Sequence, residues 1–300
     1  MLIYLVLKNR FNFGKTILEA MAKRIKKVDS KEVGLEIGLY IFKFFLKTEY
    51  LHYGYFKDGL AADVSNLKKA QENYAEMLFE NIPEGTKTIL DVGCGSGKTA
   101  QELIKKGYQV ECVSPSILLN KYAETLVGEK GKIHNSKFEN FKTDKKYDLV
   151  MFSESFQYIN MNDSIPLALN YLSENGKILI CDFFRTDMPE RGPLGGGHKY
   201  KEWLEILEKY PVTIEKEKDI TNETAPTIDI VDQMAKEVLM PTWKLVFMLA
   251  EDRFPLLMKF VKWKYKAKLD KMENKHFSGE RNGVNFKKYK IYKMYLLNKK

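Results

Sequence analysis

The chain is poor in cysteine and has no apolar run long enough to span a bilayer, no internal repeat and no low-complexity linker. Its three cysteines, Cys94, Cys112 and Cys181, lie far apart, each in or beside a segment that reads as a strand. Such spacing supplies neither a disulfide framework nor zinc-ligand pairs. No metal site is expected, and buried, reduced thiols fit a cytoplasmic protein. The six-residue apolar run at 2–7 is followed, not preceded, by Lys8 and Arg10, the reverse of a secretory signal, so none is expected.

What is present is a globular composition. The 300 residues are 44% hydrophobic and 30% charged, enough for one large α/β domain with a helical elaboration. The net charge of +9 favours anionic partners, yet the basic residues are scattered rather than gathered into one stripe, as on ordinary solvated faces.

Residues 1–50 place apolar side chains at helical spacing, Ile17, Leu18, Met21 and Ile25, then Leu35, Leu39, Phe42 and Phe45, and read as two or three helices. An aromatic loop with two glycines covers 50–59, and a helix runs from Leu67 to Phe79, closed by Pro83, Glu84 and Gly85. From Lys87 the pattern becomes βα alternation. Strands read at 87–92, 109–113, 132–135, 147–153 and 177–183, and helices at 97–106, 116–126 and 163–172, with Glu174-Asn175-Gly176 as a turn. That alternation implies a parallel sheet covered on both faces. The glycine-rich stretch 191–198 fits no regular element. Residues 200–209 read as a helix, 212–220 as a strand, 226–276 as helices, and 288–297 as a last strand with period two.

The segment Thr88-Ile-Leu-Asp-Val-Gly-Cys-Gly-Ser-Gly-Lys98 runs an apolar strand into Gly93, Gly95 and Gly97 and then into a helix. Glycine lets a ligand approach the backbone, and a helix N-terminus offers unpaired N–H groups. Glycine spacing alone serves dinucleotides as well. Asp91 discriminates between the two, because a carboxylate two residues before the first glycine repels a pyrophosphate and suits a cation. S-adenosylmethionine carries an ammonium and a sulfonium and no phosphate.

Over residues 90–97 the chain resembles the class I S-adenosylmethionine-dependent methyltransferases, whose first motif it follows position by position. The resemblance implies a Rossmann-like, seven-stranded, mostly parallel sheet with helices on both faces, an N-terminal helical segment, and a helical cover inserted before the last strand. It implies S-adenosyl-L-methionine as cofactor, with Gly93, Cys94, Gly95 and Gly97 against its amino-acid part and Asp91 orienting its amino group. His52-Tyr-Gly-Tyr-Phe56 is similar to an aromatic segment that closes over the cofactor in lipid and small-molecule members, which marks Tyr53 and Tyr55. Residues 147–158 look like the fourth-strand motif, whose tail from Ser153 lies at the carboxyl edge where α/β sheets bind ligands. Phe277-Ser-Gly279 and the strand beyond resemble a closing hairpin. The implied organisation is an N-terminal helical segment with aromatic loop at 1–80, a cofactor-binding core at 81–225, a helical substrate cover at 226–283 and the final strand at 284–300.

Two positions depart from the family pattern. Many members end strand two with an acid that holds the ribose. Here Val113 is followed by Ser114, as in cyclopropane synthase and tocopherol methyltransferase relatives, and a hydroxyl bonds a ribose more weakly than a carboxylate does. Glu111 shares the facing of Val113 rather than that of Ser114. Lys137, before Phe138, stands where an acid often precedes the residue that contacts adenine.

Methyl transfer from a sulfonium is an in-line displacement, so alignment matters most, with a base where the acceptor loses a proton. Candidates for the chemistry are Glu154, just beyond a strand end, Tyr53 and Tyr55 in the aromatic loop, and His198, behind three glycines that would carry it over the pocket. Plain surface positions fit Glu154 and His198 as well. His52 reads as structural, and His134 and His276 as incidental. Enzymes that methylate exocyclic base nitrogens commonly carry Pro-Pro after strand four. Ser153-Glu154-Ser155-Phe156 has none and no RNA-binding module is present, so nucleic acid is not an expected partner. The Met and aromatic residues of 226–276 suit an apolar ligand cavity or plain packing on the sheet. Lys259, Lys262, Lys264, Lys266 and Lys268 interleave with Phe260, Trp263 and Tyr265, as in a surface that meets an anionic membrane peripherally or in a solvated face. The expected activity is methylation of a hydrophobic small molecule or lipid. The alternatives are methylene or methyl addition to an acyl-chain alkene, and a cofactor-binding sensor or partner subunit without catalysis.

Overall fold

The computed structural model describes residues 30–190 and 192–300, so the helical pattern at 17–25 lies outside the described residues. Seven strands form one sheet: β1 (Thr88–Val92), β2 (Gln109–Ser114), β3 (Gly131–Asn135), β4 (Tyr147–Ser153), β5 (Leu172–Arg185), β6 (Val212–Asp219) and β7 (Lys290–Lys299). Their order is β3-β2-β1-β4-β5-β7-β6, and only β7 runs antiparallel to its neighbours. The seven-stranded, mostly parallel sheet expected from the sequence is the one found. Ile89 to Val92 are all buried, because helices cover both faces and leave no side for polar alternation. From β1 the chain winds outward through β2 and β3, then returns to β4 on the other flank. The crevice at this reversal, at the carboxyl ends of β1 and β4, is where an open α/β sheet places ligands.

Helices α1 (Ser30–Ile41), α2 (Leu67–Glu80), α3 (Lys98–Lys105), α4 (Ile117–Val127), α5 (Met161–Tyr171) and α6 (Tyr200–Lys209) accompany the strands. One core joins Tyr74 and Met77 of α2, Leu103 of α3 and Ala123 of α4 to one face of the sheet. The other joins Ile165 of α5 and Trp203 of α6 to the opposite face, where Trp203 stacks on Phe184 at 5.5 Å. On α1, Glu32 accepts from Ser116 Oγ at 2.8 Å and from Leu118 N at 2.9 Å, a carboxylate seated on the N-terminus of α4.

Three features differ from the sequence reading. The Glu174–Gly176 turn is an irregularity inside β5, across which Tyr147 pairs with Leu172 but Leu149 with Lys177. Helix α7 (Thr221–Met234) continues through a π-turn (Ala235–Leu239) into α8 (Met240–Arg253), and α9 (Pro255–Phe277) begins after a break at Phe254, since Pro255 has no N–H to continue the ladder. A short helix, α10 (Gly283–Tyr289), then leads directly into β7. Helices α8 and α9 form a hairpin joined by a Lys262–Glu251 ion pair. Their aromatic and Met residues line a cavity of their own, among them Trp243, Phe247, Met248 and Trp263.

Gly97 shows how closely the helices approach. It has φ +82°, and a Cβ there would lie 2.7 Å from Ala123 Cβ and 2.8 Å from its Cα on α4. Gly97→Ala is expected to cost about 2 kcal/mol or more through strain and overlap. A urea denaturation midpoint equal to that of the wild type would contradict this.

Candidate functional site

The reversal crevice holds a cavity of about 320 Å³. Its floor is the end of β1 and the glycine loop, one wall the end of β2 with Ser114 and Pro115, the other the end of β4 from Ser153 to Ser155. Gly93, at φ +82°, is pressed against the far wall, and a Cβ there would come within 2.3 Å of Ser155 Cβ. Ser155 Oγ donates to the Val92 carbonyl and closes that seam. Gly95, at φ +55°, is different: a Cβ would meet only Leu51 at 3.8 Å, so its bareness leaves the cavity open.

A strap of residues 48–56 forms the roof, and α2 fastens it. Gln71 Nε2 donates to the carbonyls of Tyr50 (3.2 Å) and His52 (2.7 Å), while its Oε1 accepts from Thr48 Oγ1 (2.9 Å). Tyr55 N donates to Ala70 O, and Gly54 N to Thr227 Oγ1 on α7. Gly54 is required by this approach, since a Cβ would sit 2.6 Å from Ala70 Cβ. Ser96 Oγ ties the glycine loop to the Glu49 carbonyl.

The electrostatics of the wall are one-sided. Asp91 is buried with Oδ2 unpartnered, and burial pushes its carboxyl up to about 7. Glu154 also faces the cavity, at φ +54°, beyond the end of β4. Its Oε1 accepts from Tyr53 N (2.7 Å) and from Tyr292 Oη (2.6 Å). Those donors favour the charged form, but burial outweighs them and lifts the carboxyl to about 8. Among the described residues Lys137 is the one cationic side chain on the wall, against the carboxyls of Asp91, Glu154 and Glu139. Such a lining disfavours a pyrophosphate and accepts a cation. A buried acceptor left unpaired, as Asp91 Oδ2 is, calls for a donor.

Of the residues marked from sequence, Asp91, Gly93, Cys94, Gly95, Ser114, Lys137, Phe138, Ser153 and Glu154 meet at the cavity. Four do not. Tyr53 turns its ring toward Phe286 (5.7 Å), Phe183 (5.9 Å) and Tyr292 (6.0 Å), and Tyr55 packs into the core. Gly97 serves the α3–α4 crossing. His198 stays outside because its loop is pinned. Lys290 Nζ donates to the carbonyls of Gly195 and Gly196, Gly197 N donates to Gln157 Oε1, and His198 Nε2 lies 3.1 Å from the Phe156 carbonyl. Glu111 is likewise elsewhere, paired with His134 and Lys145. Residues not marked as site residues from the sequence complete the wall, notably His52, Ser155 and Ser116, with Leu35 and Tyr158 exposed at its rim. None of its lining comes from 226–283.

The sequence profile of the methyltransferase-domain family matches residues 64–216. The chain is similar to an uncharacterized methyltransferase of Staphylococcus carnosus (strain TM300), 25% identical over 168 residues, 54% of this chain and 80% of that protein. Its fold is similar to the cyclopropane synthase MmaA2 from Mycobacterium tuberculosis, with TM-score 0.64 and 14% identity over 91% of this chain and 100% of that one. It is also similar to geranyl diphosphate C-methyltransferase from Streptomyces coelicolor A3(2), solved with Mg2+, geranyl diphosphate and S-adenosyl-L-homocysteine. That likeness has TM-score 0.59 and 15% identity over 94% of this chain and 97% of the other.

Proposed function

This chain belongs to the methyltransferase-domain family, with S-adenosyl-L-methionine as its cofactor, and from that premise we propose that it methylates a hydrophobic small molecule or a lipid. The observation that carries the reading is the make-up of the cavity wall: the unpaired acceptor Asp91 Oδ2 beside the glycine loop, and apolar Leu35, Leu51 and Ile159 beside Tyr158.

The residues fit the cofactor. The lone Asp91 Oδ2 suits an ammonium, and the bare backbone at Gly95 leaves room for an amino-acid moiety. Asp91 and the glycine loop would hold that end, with Ser114 and Phe138 toward the nucleoside. When bound, the cofactor supplies an electrophilic methyl group on a sulfonium. The chain's own work is alignment and exclusion of water. The strap covers the site, and Glu154 keeps the strap seated through Tyr53 N while Tyr292 holds Glu154. With its carboxyl lifted to about 8, Glu154 is also the candidate proton acceptor where the methyl acceptor is a hydroxyl.

The lipid side of the proposal draws on the α8–α9 hairpin. Leu256, Phe260 and Trp263, at i, i+4 and i+7 on α9, are 83%, 48% and 76% exposed, and Phe254 is exposed at the break. Lys259, Lys264 and Lys271 flank that stripe, and residues 240–274 carry eight basic against four acidic side chains. An apolar stripe edged by lysines suits peripheral contact with an anionic membrane. Among the described residues no helix is long and apolar enough to cross one.

Two outcomes test these readings. Burial raises the Asp91 carboxyl to about 7, above its ordinary 3.8, and an adjacent ammonium lowers it again. Binding therefore releases a proton below about pH 7, and affinity for S-adenosylhomocysteine rises with pH to that point and then levels. The ligand-free protein runs the other way, losing the contribution of this group to stability as pH climbs from 3.8 through about 7. Calorimetry across this range should show the rise in the wild type and weaker, flat binding in Asp91→Asn. PH-independent wild-type affinity would contradict the assignment. Second, the protein should sediment with phosphatidylcholine vesicles containing phosphatidylglycerol and not with phosphatidylcholine alone. The double variant Leu256→Glu, Trp263→Glu should stay in solution. Wild type that sediments with neither removes the membrane contact and leaves the methyl-transfer reading in place.

A further inference from the structure

His52 is held from three sides and left open on the fourth. Its ring stacks on Tyr74 with centroids 4.3 Å apart and lies 4.7 Å from the ring of Tyr50. Its own carbonyl is tied to Gln71 on α2. Its Nδ1 is 2.8 Å from the carbonyl oxygen of Tyr53. A carbonyl only accepts, so Nδ1 carries the ring proton and Nε2 is left with a lone pair. Nε2 is buried and has no partner among the described residues, although His52 forms part of the cavity wall together with Asp91, Gly93 and Cys94. Burial holds the ring well toward its neutral form, with its pKa pushed down to about 4. The same wall carries the acids Asp91, Glu139 and Glu154 and the potential donors Tyr50, Cys94, Lys137 and Tyr158, yet among the described residues none of these is bonded to Nε2.

Asp91 and His52, which line one cavity, thus each carry a buried acceptor, Oδ2 and Nε2, without a donor among the described residues. A lone water or a neutral hydroxyl satisfies one such acceptor readily. An ammonium offers three N–H groups and a charge that also compensates the Asp91 carboxylate.

We propose that His52 is a cofactor-positioning residue whose Nε2 accepts a hydrogen bond from the cofactor's ammonium, opposite Asp91. The inference rests on the S-adenosylmethionine reading of the cavity and deepens it. The strap then does more than cover the site: it carries an acceptor into it, in a tautomer fixed by its next residue. A protonated imidazole would repel the ammonium, so burial that keeps the ring neutral serves binding.

The test is calorimetric and needs no turnover. S-adenosylhomocysteine is titrated beside 5′-methylthioadenosine, which shares the nucleoside and thioether but lacks the amino-acid end. His52→Phe keeps a ring against Tyr50 and Tyr74 without the acceptor, whereas His52→Gln places an amide oxygen at the reach of Nε2. Both variants lose the bond to the Tyr53 carbonyl, so that loss cancels between them. His52→Phe should weaken S-adenosylhomocysteine about tenfold or more while leaving 5′-methylthioadenosine unchanged. His52→Gln should recover most of the loss. Equal weakening of both ligands would reduce His52 to a structural residue and overturn the proposal. Unchanged S-adenosylhomocysteine affinity with slowed single-turnover transfer would overturn it too, by assigning Nε2 to the acceptor's proton. Wild type that binds neither ligand overturns the cofactor reading itself, and is distinguished by appearing before any substitution is made.

Discussion

A buried carboxyl at the end of β1, with one oxygen unpartnered among the described residues, is the constraint around which the site is organised. Asp91 stands where the winding of the sheet reverses, beside glycines that bring the backbone to the cavity surface. Leaving Oδ2 unpaired costs stability, and among the described residues no hydrogen-bond donor relieves it. Under the proposed reading it receives the positive charge of the cofactor's ammonium. The same charge balance separates this glycine loop from the dinucleotide loops it otherwise resembles, where backbone N–H groups face a pyrophosphate.

The surrounding structure holds that carboxyl and the cavity around it in shape. The strap over the cavity is anchored to α2 by Gln71, to α7 by Thr227 and to the sheet edge by Glu154. Glu154 in turn is held by Tyr292, whose hydroxyl lies 3.0 Å from that of Tyr74, and Tyr74 supports His52. Roof and wall are thus one connected set of contacts drawn from α2, β4 and β7. A ligand that enters meets acceptors already oriented, which lowers the entropy lost on binding.

The fold was largely legible because its signals are local. Parallel strands buried on both faces read as unbroken apolar runs, and the glycines after β1 announce a strand–turn–helix directly. The parts that were not legible depend on distant partners. His198 follows three glycines that suggest a mobile arm, but Lys290 and Gln157 pin that loop from elsewhere in the chain. Tyr53 and Tyr55 read as ligand contacts, yet Phe183, Phe286 and Tyr292 draw the first ring away, and the second is packed against the core. His52 carries no sequence signal beyond its aromatic neighbours, since only the fold reveals which of its nitrogens is paired. The helices at 226–276 show apolar residues on all sides, a pattern that does not by itself assign a face to the core, to a ligand or to solvent.

The most direct measurement is calorimetric titration of the purified chain with S-adenosylhomocysteine and, separately, with NADH. Binding of one S-adenosylhomocysteine per chain, with no heat from NADH, is the expected result for a cavity that receives a cation and repels a pyrophosphate. Binding of NADH, or no binding of S-adenosylhomocysteine, would contradict it.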